Sequence, residues 1–173
     1  MDLWFFSVTG CAAYHHPVIT VTGAKLAETS DEALALRFGL DLHNPNNEAL
    51  TLVEFTYELS IDGRNVYHGS RAGETVLAIH GDKHVEIPGV VRFDRAGWHK
   101  GAIPAAATFA LDGRLTYITP GKIVQILFDT GVRKPKAPFA GTGQVELRPD
   151  QRSEIRGQRS EIRDQRLDVR LEK

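Results

Sequence analysis

LDLHNPNNEAL, residues 40–50, decides how the chain is read. Upstream, Leu34, Leu36, Phe38, Leu40 and Leu42 alternate with Ala35, Arg37, Gly39, Asp41 and His43, the period-two pattern of a half-buried strand. Downstream, Val53, Phe55, Tyr57, Leu59 and Ile61 alternate with Leu52, Glu54, Thr56, Glu58 and Ser60 in the same way. Asn44 precedes a proline and is pushed into an extended conformation. Pro45 has no N–H and cannot serve in the middle of a ladder. Asn46 and Asn47 accept positive φ and bond back to nearby backbone groups. These properties predict a rigid strand-to-strand corner or bulge whose orphan backbone groups are satisfied by amide side chains.

Working outward, Asp62-Gly63 is a hairpin signal, because both residues tolerate the positive φ of a type I′ turn. Further strands are expected at Asn65 to Ser70, Thr75 to Ile79, His84 to Phe93, Thr108 to Leu111, Leu115 to Ile118 and Ile123 to Phe128. His80-Gly81-Asp82, Asp112-Gly113 and Pro120-Gly121 punctuate them. Pro17 to Val21 opens the series and Gln144 to Leu147 closes it. Arg95 to Ala107 is the one segment suited to a short helical turn or a crossing between sheets. Short, regularly spaced strands predict an all-β fold, an antiparallel β-sandwich with little helix.

Composition sets the bounds. The 173 residues, 42% hydrophobic and 25% charged, suit one globular domain with a tail. A net charge of -1 gives no electrostatic reason to expect nucleic acid as the main partner. The single cysteine, Cys11, forbids an internal disulfide. It follows the small residues Thr9-Gly10 and the apolar stretch Leu3 to Val8, an arrangement similar to a bacterial lipoprotein signal in which the cysteine is acylated. The apolar stretch is shorter than such a signal needs and lacks a basic start, so a longer leader is expected upstream. Residues 1–16 then read as truncated signal and tether, 17–148 as the sandwich, and 149–173 as a charged repeat tail. In the tail, RSEIRGQ, RSEIRDQ and RLDVRLE repeat every seven residues. One apolar residue per heptad makes no coiled-coil seam, so a disordered or transiently helical extension is expected.

The sequence carries few chemical motifs. No nucleophile elbow, phosphate loop, dinucleotide fingerprint or zinc-protease motif is present. His80, Asp82 and His84 could offer metal ligands, but a polar hairpin turn explains the same residues and Lys83 would oppose a cation, so a turn is expected and not a metal site. The chain therefore reads as non-enzymatic, with no cofactor, metal or small-molecule substrate expected.

The stretch LRFGLDLHNPNNEALTLVEFTYELSIDGRNVYHG, residues 36–69, resembles the WHy domain (water stress and hypersensitive response) of type-2 late embryogenesis abundant proteins. The resemblance lies in Asn44, Pro45 and Asn46, then Tyr57, Leu59, Gly63, Val66 and Gly69, and in Pro138-Phe139, Gly143 and Val145-Glu146-Leu147 near the end. It implies a fibronectin-III-like sandwich and a non-enzymatic role in desiccation, cold or osmotic stress. Client proteins would be met by weak, transient contact. Attachment to the bacterial envelope, on the periplasmic side, would run through acylated Cys11; without that processing the chain would stay cytoplasmic. A docking or scaffold module of an envelope assembly is the competing expectation. In either case Asn44, Pro45 and Asn46 are expected to specify the fold.

Overall fold

A computed structural model describes residues 14–99, 102–120, 126, 129–131 and 134–148. Cys11, the tether before Tyr14 and the repeat tail lie outside the described residues. Seven strands follow in order: β1 (Val18–Thr29), β2 (Ala33–His43), β3 (Leu50–Ile61), β4 (Arg64–Leu77), β5 (Asp82–Arg92), β6 (Ala106–Ile118) and β7 (Lys136–Glu146). A one-turn helix, α1 (Phe93–Ala96), begins the crossing from β5 to β6. Sheet order is β1-β2-β5 against β4-β3-β6-β7, with every pairing antiparallel. This is the expected fibronectin-III-like sandwich.

Alternation builds the core directly. Leu34, Leu36, Phe38, Leu40 and Leu42 of β2 are all buried, while Arg37 and Asp41 between them are exposed. They meet Phe55, Tyr57, Leu59, Phe109, Leu111 and Leu115 of the opposite sheet. Phe38 and Phe109 cross the interface edge to face, with ring centroids 5.2 Å apart. On one flank the edge strands of the two sheets meet, for a side chain at Gly141 of β7 would reach 2.4 Å from Val21 Cβ of β1. On the other flank β4 and β5 are outermost in their sheets.

Three expectations are corrected. In β3 the inward face is Leu50 and Leu52, then Phe55, Tyr57, Leu59 and Ile61, because a bulge between Leu52 and Glu54 inverts the alternation. Val53 is thus only half-buried. Residues 65–70 and 75–79 belong largely to one strand, β4, which ends at Leu77, so Ala78 to Gly81 form the turn. Asp112-Gly113 does not turn: β6 runs straight through it, with Gly113 between Tyr57 and Phe139 in register. Any side chain there would lie 2.4 Å from Phe139 Cζ and 2.8 Å from the Thr56 carbonyl oxygen, so the glycine serves close approach of neighbours. Most of the strand expected over 123–128 lies outside the described residues. Ile126 is helical, and its carbonyl accepts both the Thr130 N–H at 3.0 Å and the Thr130 hydroxyl at 2.8 Å. The Asp62-Gly63 turn has the predicted positive φ at both positions, 48° and 78°.

Candidate functional site

The registers place four features at one end of the sandwich: the entry to β1, the β2–β3 corner, the β4–β5 turn and the β6–β7 connection. The corner is where the chain's buried polar chemistry gathers. Asn44 has 0% of its surface exposed and Asn46 has 7%. Burying an amide side chain is unfavourable unless its donors and acceptor find partners. Both residues meet this requirement in full.

Asn44 Nδ2 donates to the carbonyls of Glu48 at 2.8 Å and Ala78 at 2.9 Å. Its Oδ1 accepts the Asn46 N–H at 3.1 Å and Asn46 Nδ2 at 3.0 Å. All four hydrogen-bonding positions of the amide are therefore used. The orientation is fixed by chemistry, since a flipped amide would aim oxygen at two carbonyls. Asn46 continues the network outward. Its Nδ2 donates to the His15 carbonyl at 2.8 Å and its Oδ1 accepts the His15 N–H at 2.9 Å. The side chain thus binds the backbone of His15 as a neighbouring strand would. Backbone bonds from Asn44 N–H to Gly81 and from His80 N–H to Asn46 close the assembly, at 3.0 and 3.3 Å. Pro45 sits between two satisfied amides and has none of its own to satisfy.

The three predicted residues Asn44, Pro45 and Asn46 accordingly form a hub. It ties the corner to the β4–β5 turn and to the incoming chain. The side-chain contacts to these two segments are 31 to 34 residues apart in sequence, and no local signal marks Ala78 or His15 as partners. Beside the hub, His16 Nδ1 lies 2.7 Å from the Tyr117 hydroxyl. The Tyr14 hydroxyl is buried without a hydrogen-bond partner among the described residues, and burial pushes its pKa up to about 12. Removing the latch isolates its strength: Asn46→Ala should lower stability by about 2 kcal/mol. The His15 amide should then exchange with solvent many times faster, a change read by hydrogen exchange.

The candidate metal ligands are engaged separately. His80 Nε2 faces Asn47 Oδ1 at 2.6 Å, Asp82 pairs with His43 at 2.7 Å, and His84 pairs with Asp41 at 2.6 Å. No group of three metal-binding side chains comes together among the described residues. The two imidazole–carboxylate pairs are cross-strand neighbours on the outer face of β2 and β5. Among the described residues two polar side-chain contacts span the sheets: Lys83 Nζ of β5 donates to the Thr75 hydroxyl of β4, and the Tyr57 hydroxyl donates to the Pro88 carbonyl at 2.6 Å. Burial, then the nearby Tyr67, pushes the Tyr57 pKa above its ordinary 10.0. A hydroxyl whose pKa rises on folding contributes stability fully below about pH 10 and loses it as pH climbs toward the folded value. Alkaline melts should therefore fall off above pH 10. Tyr57→Phe should flatten that decline while lowering neutral stability by about 1 kcal/mol, the worth of the Pro88 bond.

Comparison with known proteins follows the same geometry. A family model described as late embryogenesis abundant protein, LEA_2, matches residues 40–132, from the opening corner to the approach to β7. No curated protein matches by sequence. Among solved structures, AT1g01470 from Arabidopsis thaliana is 15% identical, with a TM-score of 0.57 over 84% of this chain and 93% of that one. A second, At2g46140.1, named for the late embryogenesis abundant group, is 17% identical with a TM-score of 0.58, covering 76% and 71%. At these identities the structures speak to the fold alone. The sequence match spans more than half of the chain and includes the whole polar corner, and on it the chain belongs to the LEA_2 family of late embryogenesis abundant proteins.

Proposed function

We propose that the chain is a non-enzymatic stress-protection protein of the WHy type. It would act as a folded protectant of proteins or envelope components during water stress, cold or osmotic stress. Membership of the LEA_2 family carries this reading. The hub supports it, because the only fully buried polar side chain at the corner has every hydrogen-bonding position occupied within the fold and none left to offer a substrate. The surface supports it as well. A protein concentrated by drying must not pair its own sheet edges with those of neighbours. In β5 the outer edge carries Pro88, whose missing N–H interrupts a continuous ladder. In β4 the edge is broken by a positive φ of 41° at Glu74 and carries Arg64 and Arg71, both exposed. We place the protein at a bacterial envelope, held through acylated Cys11, with clients bound weakly and transiently.

The test is a drying and freeze–thaw assay with a labile enzyme and the purified chain. Residual enzyme activity should be at least about twofold higher than with an equal mass of albumin. Protection no better than albumin would count against the reading. Stoichiometric co-purification of one envelope protein would favour a scaffold module instead.

A further inference from the structure

Large apolar side chains left in water are unevenly placed on this molecule. Among the described residues five are exposed: Val18, Val76, Ile79, Val90 and Ile126. Val18 begins β1, Val76 lies at the end of β4, and Ile79 tips the β4–β5 turn. Ile126 belongs to the connection that leaves β6 and rejoins β7 at this same end. Only Val90 sits toward the opposite end, near the close of β5. Four of the five therefore belong to the turns, strand ends and connection at the end that carries the hub. A scatter of exposed aliphatics is ordinary, but their collection at one end marks a contact surface.

The incoming chain says which contact. Asn46 holds His15 to this end, and Tyr14 packs against the core there. Three residues earlier is Cys11, and before it the apolar stretch Leu3 to Val8. Three extended residues span about 10 Å. A lipid on Cys11 would therefore hold the hub end within about that distance of the headgroups, aliphatics foremost. We propose that the end of the sandwich bearing Asn44 and Asn46 rests on a lipid bilayer, with Ile79 and Ile126 entering the headgroup layer. The proposal rests on the envelope reading above for the bilayer's presence and adds the orientation. β-strands then stand away from the membrane, and β7 runs from the hub end to Glu146 at the far end. The latch acquires a purpose in this arrangement. It fixes His15 to the corner, so that lipid anchoring at Cys11 sets the domain's orientation as well as its location.

Vesicles of phosphatidylethanolamine and phosphatidylglycerol, with the full unlipidated chain, test the contact by co-sedimentation. The chain should partition measurably, and Ile79→Ser combined with Ile126→Ser should reduce partitioning at least about tenfold. Both side chains are exposed, so the variant should melt as the parent does; Val90→Ser should bind as the parent does. Absent binding by the parent would overturn the proposal. So would undiminished binding by the double variant, which would assign any affinity to Leu3 to Val8. A concentration-dependent dimer lost in the double variant, with vesicle binding intact, would make a second copy the occupant and overturn it as well. Mass analysis of Cys11 from cells tests the anchor by itself. An unlipidated Cys11 with the expected vesicle pattern fails the anchor alone, and a lipidated Cys11 with insensitive binding fails the orientation alone.

Discussion

Asn44→Asp should destabilise the domain by about 4 kcal/mol, although it exchanges a single amide group for an oxygen. The reason is the pair of carbonyls, Glu48 at 2.8 Å and Ala78 at 2.9 Å, that Nδ2 now serves. An ionised carboxylate would be buried against both, with no cation among its hydrogen-bond partners. A protonated one could donate to only one of them. Against a typical stability of about 5–15 kcal/mol, such a loss lowers the melting temperature by roughly 15 °C. Asn44→Ala, which removes the repulsion but opens a void and strands the Asn46 N–H, should lose about 3 kcal/mol. Urea unfolding of the three proteins gives the ranking. A loss below about 1 kcal/mol for the aspartate would mean that the hub does not hold the corner.

Phe38→Ala should cost about 4 kcal/mol, the other large effect. Its ring spans the gap between sheets, with 0% exposed surface and Phe109 across from it. The void cannot close easily, because Phe38 rests on backbone: a Cβ added at Gly89 would lie 2.8 Å from its ring. The same contact supplies a control. Gly89→Ala should be unfavourable in the native protein, where it strikes both Phe38 and Leu59, and less so once Phe38 is alanine, when Leu59 Cδ2 at 3.2 Å is the tight contact left. A double-mutant cycle should show coupling of about 1 kcal/mol. Strict additivity would place Phe38 elsewhere than against β5.

Much of this architecture was legible in the residues. Period-two alternation from Leu34 to Leu42 gave β2 and its inward face without error. Asp62-Gly63 announced a hairpin that the backbone angles match. Asn44-Pro45-Asn46 announced a corner and the means of satisfying it. The failures share a cause. A glycine beside an aspartate reads as a turn, yet at Gly113 it answers Phe139 from the next strand, a neighbour that sequence order does not reveal. The bulge after Leu52 inverts an alternation that looks unbroken in sequence, because Val53 is apolar enough to fit either face. The hub's reach to Ala78 and His15 was hidden for the same reason. Amide side chains advertise that they need partners, but not which distant carbonyl will provide them.

The family match and the hub together bear on what the asparagines are for. They are spent inside the protein, on its own carbonyls and amides, which is the behaviour of a fold-specifying element. Protection would then belong to the assembled surface and survive any change at the corner that leaves the sandwich folded. The drying assay can be run with Asn46→Ala at a temperature well below its melting point, with circular dichroism recorded on the same sample. Protection equal to the parent's is the predicted result. A folded variant that had lost protection would contradict it and make the corner a functional site in its own right.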